Sequence, residues 1–306
     1  MRGWPHVLTL AAVCLLVVPA VATPYPTVIK LGPLQNAALT ESSGVVAGRR
    51  NRGLFWTHND SGDGPFVYAL GPHGEDDGTF QLQGMPTPTD CEDIAIGPGP
   101  QHGLPYLYLG DIGDNNSVRK SCCVWRVLEP RVTAEAKHSD QKHPVLTGTA
   151  EALPYVYPDG PHDAETLMVH PQTGRIYVVA KNTSGVDGVY AFPMPLAPGK
   201  TVTLAKVATV HISGEPPVYP NLVTGGDIAP DGRRLVIRTY WFAYEFHLPA
   251  GMPSFDAIWM APPTRIVLPL QPQGEGIGYL YPKGDGLVLT SEGRGTTFYL
   301  LRRKEH

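Results

Sequence analysis

The chain has 306 residues, with 28 acidic and 24 basic side chains and a net charge of −4. That balance, with no basic run apart from Arg302-Arg303-Lys304, argues against a nucleic-acid partner. The 34 glycines and 32 prolines have no period and punctuate alternating apolar runs, which excludes collagen-like and disordered chains and predicts a turn-rich, all-β protein.

From the N-terminus, Arg2 precedes an apolar run from Val7 to Val18, broken by Pro19 and followed by the small-x-small triplet Ala20-Val21-Ala22. This pattern predicts a signal peptide over residues 1–22 and a secreted or extracytoplasmic mature protein. The run is short for a membrane span and no second one follows, so no span is expected after cleavage. Residues 23–306 carry no linker and read as a single domain.

Three short patterns recur in the same order five times. The first holds Ser43-Gly44-Val45, Glu92-Asp93-Ile94, Glu165-Thr166-Leu167, Gly226-Asp227-Ile228 and Glu275-Gly276-Ile277. A β-rich run with polar end follows each time, as in Phe55-Trp56-Thr57-His58-Asn59-Asp60 and Tyr106-Leu107-Tyr108-Leu109-Gly110-Asp111. The third centres on an aromatic residue: Tyr68, Trp125, Tyr190, Tyr244 and Tyr299. Turn signals such as Pro230-Asp231-Gly232 separate the first two. A fourth apolar run precedes each next repeat; the one missing at the C-terminus is supplied by Thr27–Leu31 at the N-terminus. Such a repeat predicts a five-bladed β-propeller whose last blade is closed by the N-terminal strand. Six blades result if the long stretch between Glu92 and Glu165 hides one more.

The mature chain keeps Cys91, Cys122 and Cys123, all in one repeat. An oxidising compartment permits a disulfide from Cys91 to Cys122 or Cys123, with one thiol left over.

Blade topology decides where chemistry collects. The innermost strand starts at one channel mouth and the next strand returns to it. The first-pattern residues Ser43, Glu92, Glu165, Gly226 and Glu275 therefore converge at one mouth, where the serine and the glutamates offer a ring of oxygen ligands. Three carboxylates about one axis resist ionisation unless a cation sits among them, and an all-oxygen set suits calcium better than magnesium or zinc. Around this ring, His58, Asp60, Asp111 and Asp114 are candidates to orient or deprotonate a water. Lys181, Arg238 and Arg294 are candidate clamps for an anionic substrate. The Asp-rich segments are also good turn sequences, and the cations also good ion-pair partners.

The motifs Glu41-Ser42-Ser43-Gly44-Val45-Val46, Cys91-Glu92-Asp93-Ile94-Ala95, Ala164-Glu165-Thr166-Leu167 and Gly274-Glu275-Gly276-Ile277 resemble those of the calcium-dependent apyrases, five-bladed propellers that hydrolyse nucleoside di- and triphosphates. The resemblance implies one ligand per blade, serine or glutamate, on a central calcium. The fourth blade departs, with Gly226 where a serine is expected, so that a carbonyl, a water or Asp227 would substitute. Phytases and lactonases of propeller form carry comparable acidic blade starts. Two functions follow as expectations: a metal-dependent hydrolase of a phosphate-containing or other anionic small molecule, or a non-catalytic, monomeric propeller that binds a ligand or protein at the mouth around a structural metal.

Overall fold

A computed structural model describes residues 23–212 and 222–304. The expected leader, residues 1–22, lies outside the described residues. After the short strand β1 (Thr27–Pro33), blade 1 comprises β2 (Ser42–Ala47), β3 (Phe55–Asn59), β4 (Phe66–Leu70) and β5 (Asp76–Gln83). Blade 2 begins with β6 (Cys91–Pro98), β7 (Pro105–Asp111) and β8 (Cys122–Leu128); β9 (Val145–Thr149) then returns to blade 1, and β10 (Glu151–Val156) completes blade 2. Blade 3 holds β11 (Ala164–Val169), β12 (Ile176–Ala180), β13 (Val186–Ala191) and β15 (Ala205–His211), with the two-residue β14 (Val202–Thr203) on the edge of blade 2. Blade 4 is β16 (Val223–Ile228), β17 (Arg234–Thr239), β18 (Phe242–His247) and β19 (Thr264–Val267). Blade 5 is β20 (Gln273–Tyr279), β21 (Gly286–Glu292) and β22 (Thr297–Arg302), closed by β1 in antiparallel register from Thr27 opposite Arg302 to Pro33 opposite Thr297.

The count is five. The stretch after blade 2's third strand contains no extra inner strand: it forms a single 3-10 turn (Glu135–His138) and β9, which pairs parallel to β5. Among the described residues no helix is long and apolar enough to cross a membrane.

Each apolar cluster of the core is shared by two neighbouring blades. Trp56 and Phe80 of blade 1 pack with Ile94 and Leu109 of blade 2, and Val45 and Phe55 of blade 1 with Val288 and Phe298 of blade 5. Both faces of a blade are therefore buried, and the inner strands are buried along their whole length, as in β2 and β11. Each such side chain contributes roughly 1.5–3 kcal/mol on burial, which ties the blades into one ring. A polar clasp locks the seam. Fully buried Glu245 accepts hydrogen bonds from Tyr25 Oη (2.7 Å), Tyr279 Oη (2.9 Å) and Arg303 Nη1 (2.8 Å), joining both chain ends to blade 4. Burial alone would raise this carboxyl's pKa, but the bonds from Arg303 and Tyr25 hold it below the usual range.

All three cysteines are free thiols, in contrast to the expected pairing. Cys91 and Cys123 both lie opposite Asp111, one on each side of β7. Two strand spacings, about 9–10 Å, separate them, beyond disulfide reach.

Candidate metal centre at the channel mouth

Every blade carries a β-bulge between its two inner strands at the same end. The register breaks between Ser42 and Val45, Cys91 and Asp93, Ala164 and Thr166, Val223 and Gly225, and Gly274 and Ile277. A bulge re-aims the extra residue's side chain. The bulged residues are Ser43, Glu92, Glu165, Thr224 and Glu275, the first and last each followed by a glycine. The ring position of blade 4 thus belongs to Thr224, a hydroxyl, where alignment on the aliphatic third position had put Gly226.

Asp227 is consequently not on the ring. It lies three residues further along β16, and its two carboxylate oxygens accept the amides of Ile228 and Tyr279, both at 2.8 Å. Asp93 does the same between blades 2 and 3, accepting the amides of Ile94 (2.8 Å) and Leu167 (2.9 Å). These aspartates, with glycines that let the inner strands meet, floor the channel below the ring. A Cβ at Gly44 would overlap Asp93 Oδ1 and the amide nitrogen of Ile94.

All five ring residues are almost wholly buried: Ser43 and Thr224 are 0%, Glu92 3%, Glu165 4% and Glu275 3% exposed. Ser43 Oγ donates to the Glu92 carbonyl at 2.6 Å, and Thr224 Oγ1 to the Gly274 carbonyl at 3.3 Å, so each hydroxyl bridges to the next blade. The carboxylates are poorly satisfied. Glu165 pairs with Lys181 through one oxygen, and its Oε2 has no partner. Glu275 accepts from Gln273 at 3.1 Å, and its Oε2 also has none. No hydrogen bond to the Glu92 carboxylate is present among the described residues.

Two aspartates unforeseen from the repeat join the ring from just outside. Asp90 and Asp163 each stand two residues before a ring glutamate. Carboxylate oxygens of Asp60, Asp90 and Glu92 lie within 4.8 Å of one another, as do those of Glu92, Asp163 and Glu165. Glu92 belongs to both triads. The sequence signal was there, in the acid-x-acid spacing shared by Asp90-Cys91-Glu92 and Asp163-Ala164-Glu165.

Burial and mutual repulsion push these groups toward protonation. Glu92 is held well above the usual carboxylate range, first by burial and then by Glu165 and Asp60. Burial, with Glu165 and Glu292 beside it, does the same to Glu275. Asp60 is pushed up to about 7 by burial against the opposing bond from the Ser61 amide. Glu165 also reaches about 7, burial outweighing Lys181.

The remaining predicted residues have other surroundings. Asp111 accepts the Asp90 amide at 3.0 Å and pairs with Arg119 at 2.9 Å, so it positions Asp90. Asp114 accepts the amides of Val118 (2.9 Å) and Arg119 (2.7 Å), while its own amide donates to Asp163 at 2.8 Å. His58 is buried against Gly44 with Nδ1 2.7 Å from the Asn59 carbonyl, and burial lowers its pKa to about 4, leaving a neutral imidazole. Arg238 is fully buried and donates to the carbonyls of Gly276 (2.7 Å) and Thr290 (3.1 Å), under the ring and out of reach of a substrate. Lys181 is committed to Glu165, and Arg294 is exposed on the β21–β22 turn.

The donors are all oxygen and several are orphaned in a buried position. This set fits a hard cation, which would satisfy them at once, and not zinc, which would want nitrogen or sulfur.

No protein-family model matches the chain, and no curated protein matches it in sequence. Among solved structures it is similar to hydrazine synthase of Kuenenia stuttgartiensis, at 12% identity over 84% of this chain and TM-score 0.40; it spans 57% of that chain. It is similar to a gluconolactonase of Xanthomonas campestris at 11% identity over 90% of this chain and 89% of the other, TM-score 0.41. A glucose dehydrogenase is matched at 12% identity over 91% of this chain and 100% of the other, TM-score 0.44.

Proposed function

We propose that this is a secreted, calcium-binding β-propeller that hydrolyses a phosphate-containing or other anionic small molecule at its acidic mouth, as the resemblance of its inner strands to the calcium-dependent apyrases implies. The observation that carries the reading is the buried Glu92–Glu165–Glu275 set with oxygens left unbonded. Such groups are costly unless charge-compensated, and among the described residues the ion pair from Lys181 reaches only Glu165. Thr224 adds support, since a hydroxyl in blade 4 restores the one-ligand-per-blade pattern that Gly226 had broken.

Ser43, Glu92, Glu165, Thr224 and Glu275 would hold the ion, with Asp60, Asp90 and Asp163 as the next oxygens out. Calcium, when bound, supplies positive charge that polarises a substrate oxygen and offsets the anionic mouth. Asp60, within 4.8 Å of Asp90 and Glu92 at the edge of the ring, is placed to take a proton from water. Asp111 and Asp114 serve by holding Asp90 and Asp163. A recess of about 170 Å³ beside Asp114, lined by Lys120, Tyr157 and His162, offers a cation and ring faces to a substrate next to the acidic cluster.

A specific observation favours a second reading, in which the metal is structural and the mouth only binds. Asp111, Asp114, Lys181 and Arg238 are all engaged by the protein itself. A panel of phosphoesters, lactones and glycosides, assayed with calcium and after its removal, separates the two. Calcium-dependent turnover that Asp60→Asn abolishes without loss of calcium binding supports the hydrolase. Calcium binding without turnover on any substrate selects the binding module.

A further inference from the structure

The hairpins joining the two inner strands of each blade meet at the opposite end of the channel, six to eight residues or roughly 20–25 Å from the ring. There the charge is reversed. A cleft of about 400 Å³ opens between the hairpins of blades 1, 2, 3 and 5, lined by Arg49, Arg50, Arg131 and Tyr281 with Pro98 and Pro171. Its volume is in the range of small-molecule sites. The guanidinium carbons of Arg49 and Arg52 lie 5.8 and 5.9 Å from the centre of the Tyr281 ring.

The arginine-bearing hairpin is held by a buried carboxylate. Glu129, 0% exposed, accepts the amides of Arg49 (3.1 Å) and Arg50 (2.8 Å), the Asn51 side chain (2.8 Å) and Trp56 Nε1 (3.1 Å). It thus spends itself on backbone and neutral donors. Arg49 and Arg50 use one guanidinium N–H group each, on the carbonyls of Ile96 (2.8 Å) and Glu129 (2.6 Å), which fixes their planes and leaves further donors. Arg131 is exposed and makes no hydrogen bond or ion pair among the described residues. Arg49, Arg50 and Arg131 line the cleft and Arg52 stands beside Tyr281 at its edge, against the two carboxylates that act on Arg49, Asp227 and Glu129, which leaves an excess of positive charge at one concave spot.

We infer that this basic cleft is a binding site for a small, doubly charged oxyanion, chemically a phosphate group. Arginine forks match tetrahedral oxyanions in two-bond geometry, and the stacked, preformed planes lower the entropy lost on binding. The site is separate from the acidic mouth and independent of any activity there.

The test uses the mature chain freed of divalent ions, so that no metal at the acidic mouth recruits the anion. Inorganic phosphate and glycerol phosphate are titrated calorimetrically at low, constant ionic strength, against acetate as a singly charged comparison. Phosphate or its ester should bind more tightly than acetate; Arg131→Gln, in the lining, should weaken binding about tenfold, and Arg52→Gln, beside Tyr281 at the edge, a fewfold. Both positions are exposed, so the melting temperature without ligand should not move. Glu92→Gln at the other mouth should leave phosphate binding unchanged. Tighter binding of the ester would identify the ligand as an organic phosphate; tighter binding of the free anion, as phosphate itself. Absence of binding to the parent, or binding equal in parent and arginine variants, would overturn the inference.

Discussion

The two mouths of the channel carry opposite charge and treat it differently. At the basic mouth, buried Glu129 is fully bonded, and the arginines are anchored through part of their donors. At the acidic mouth, Asp60, Asp90, Glu92, Asp163, Glu165, Glu275 and Glu292 crowd together with Lys181 as the cation paired into the ring. The first arrangement is complete as a protein structure. The second is complete only with protons or a cation added, and that difference is the strongest physical argument for a metal centre.

The contrast can be broken most directly through Glu92, which belongs to both acidic triads. Calcium at about a hundred times its Kd should raise the melting temperature of the parent by roughly 5–10 °C. In Glu92→Gln that rise should vanish, while the metal-free protein melts no lower than the parent, because an unpaired buried acid has been removed. Calorimetric melting of both proteins checks this.

pH should sharpen it next. The folded-state pKa values of Glu92, Glu275, Asp60 and Glu165 lie above their unfolded values, so the native state binds more protons. For such groups stability is greatest below the unfolded pKa and falls as pH rises through the folded one. Metal-free protein should therefore melt progressively lower from about pH 5 to 8, and saturating calcium should flatten the decline. A melting profile independent of pH in that window would contradict the crowding of acids described above.

A subtler change reaches the ring from its neighbour. A Cβ at Gly113 would overlap Glu92 Oε1 and Asp90 Oδ2. Gly113→Ala should displace both carboxylates and weaken calcium about tenfold, about 1.4 kcal/mol, read by titration calorimetry. The smallest effect is expected at blade 4. Thr224→Ser should bind calcium as the parent does, and Thr224→Val a fewfold more weakly, since only the latter loses the oxygen.

The architecture was legible because it rests on repetition. Five aliphatic-rich inner strands, five repeated aromatics, four of them buried, and one displaced strand at the N-terminus specify blades and closure without any distant pairing having to be guessed. The ring was legible to the extent that its residues sit at a fixed place in the repeat, as Ser43, Glu92, Glu165 and Glu275 do. Thr224 was hidden because the residue two places after it is Gly226 and not an aliphatic one, so the pattern is met two residues late, at Gly226-Asp227-Ile228, and the bulge after Val223 restores the position. Arg238 was misleading for a different reason: a polar residue near a strand end can serve the mouth or the interior. Here its guanidinium caps carbonyls of blade 5, and a Cβ at Gly274 would collide with it. The cysteines were close in sequence but held apart by the intervening strand.

The closure of blade 5 has a geometric consequence for handling the protein. β1 begins and β22 ends on the side of the basic cleft, with the Lys304 amide bonded to the Pro24 carbonyl at 2.9 Å. Pro24 and Lys304 thus both lie on that side of the disc. A tether attached at either of these two residues would lay the disc down with its acidic mouth toward bulk solution and its arginines toward the support. The same immobilised sample would leave the acidic mouth open to added ions while shielding the basic cleft, and the orientation is written into which strand closes the ring.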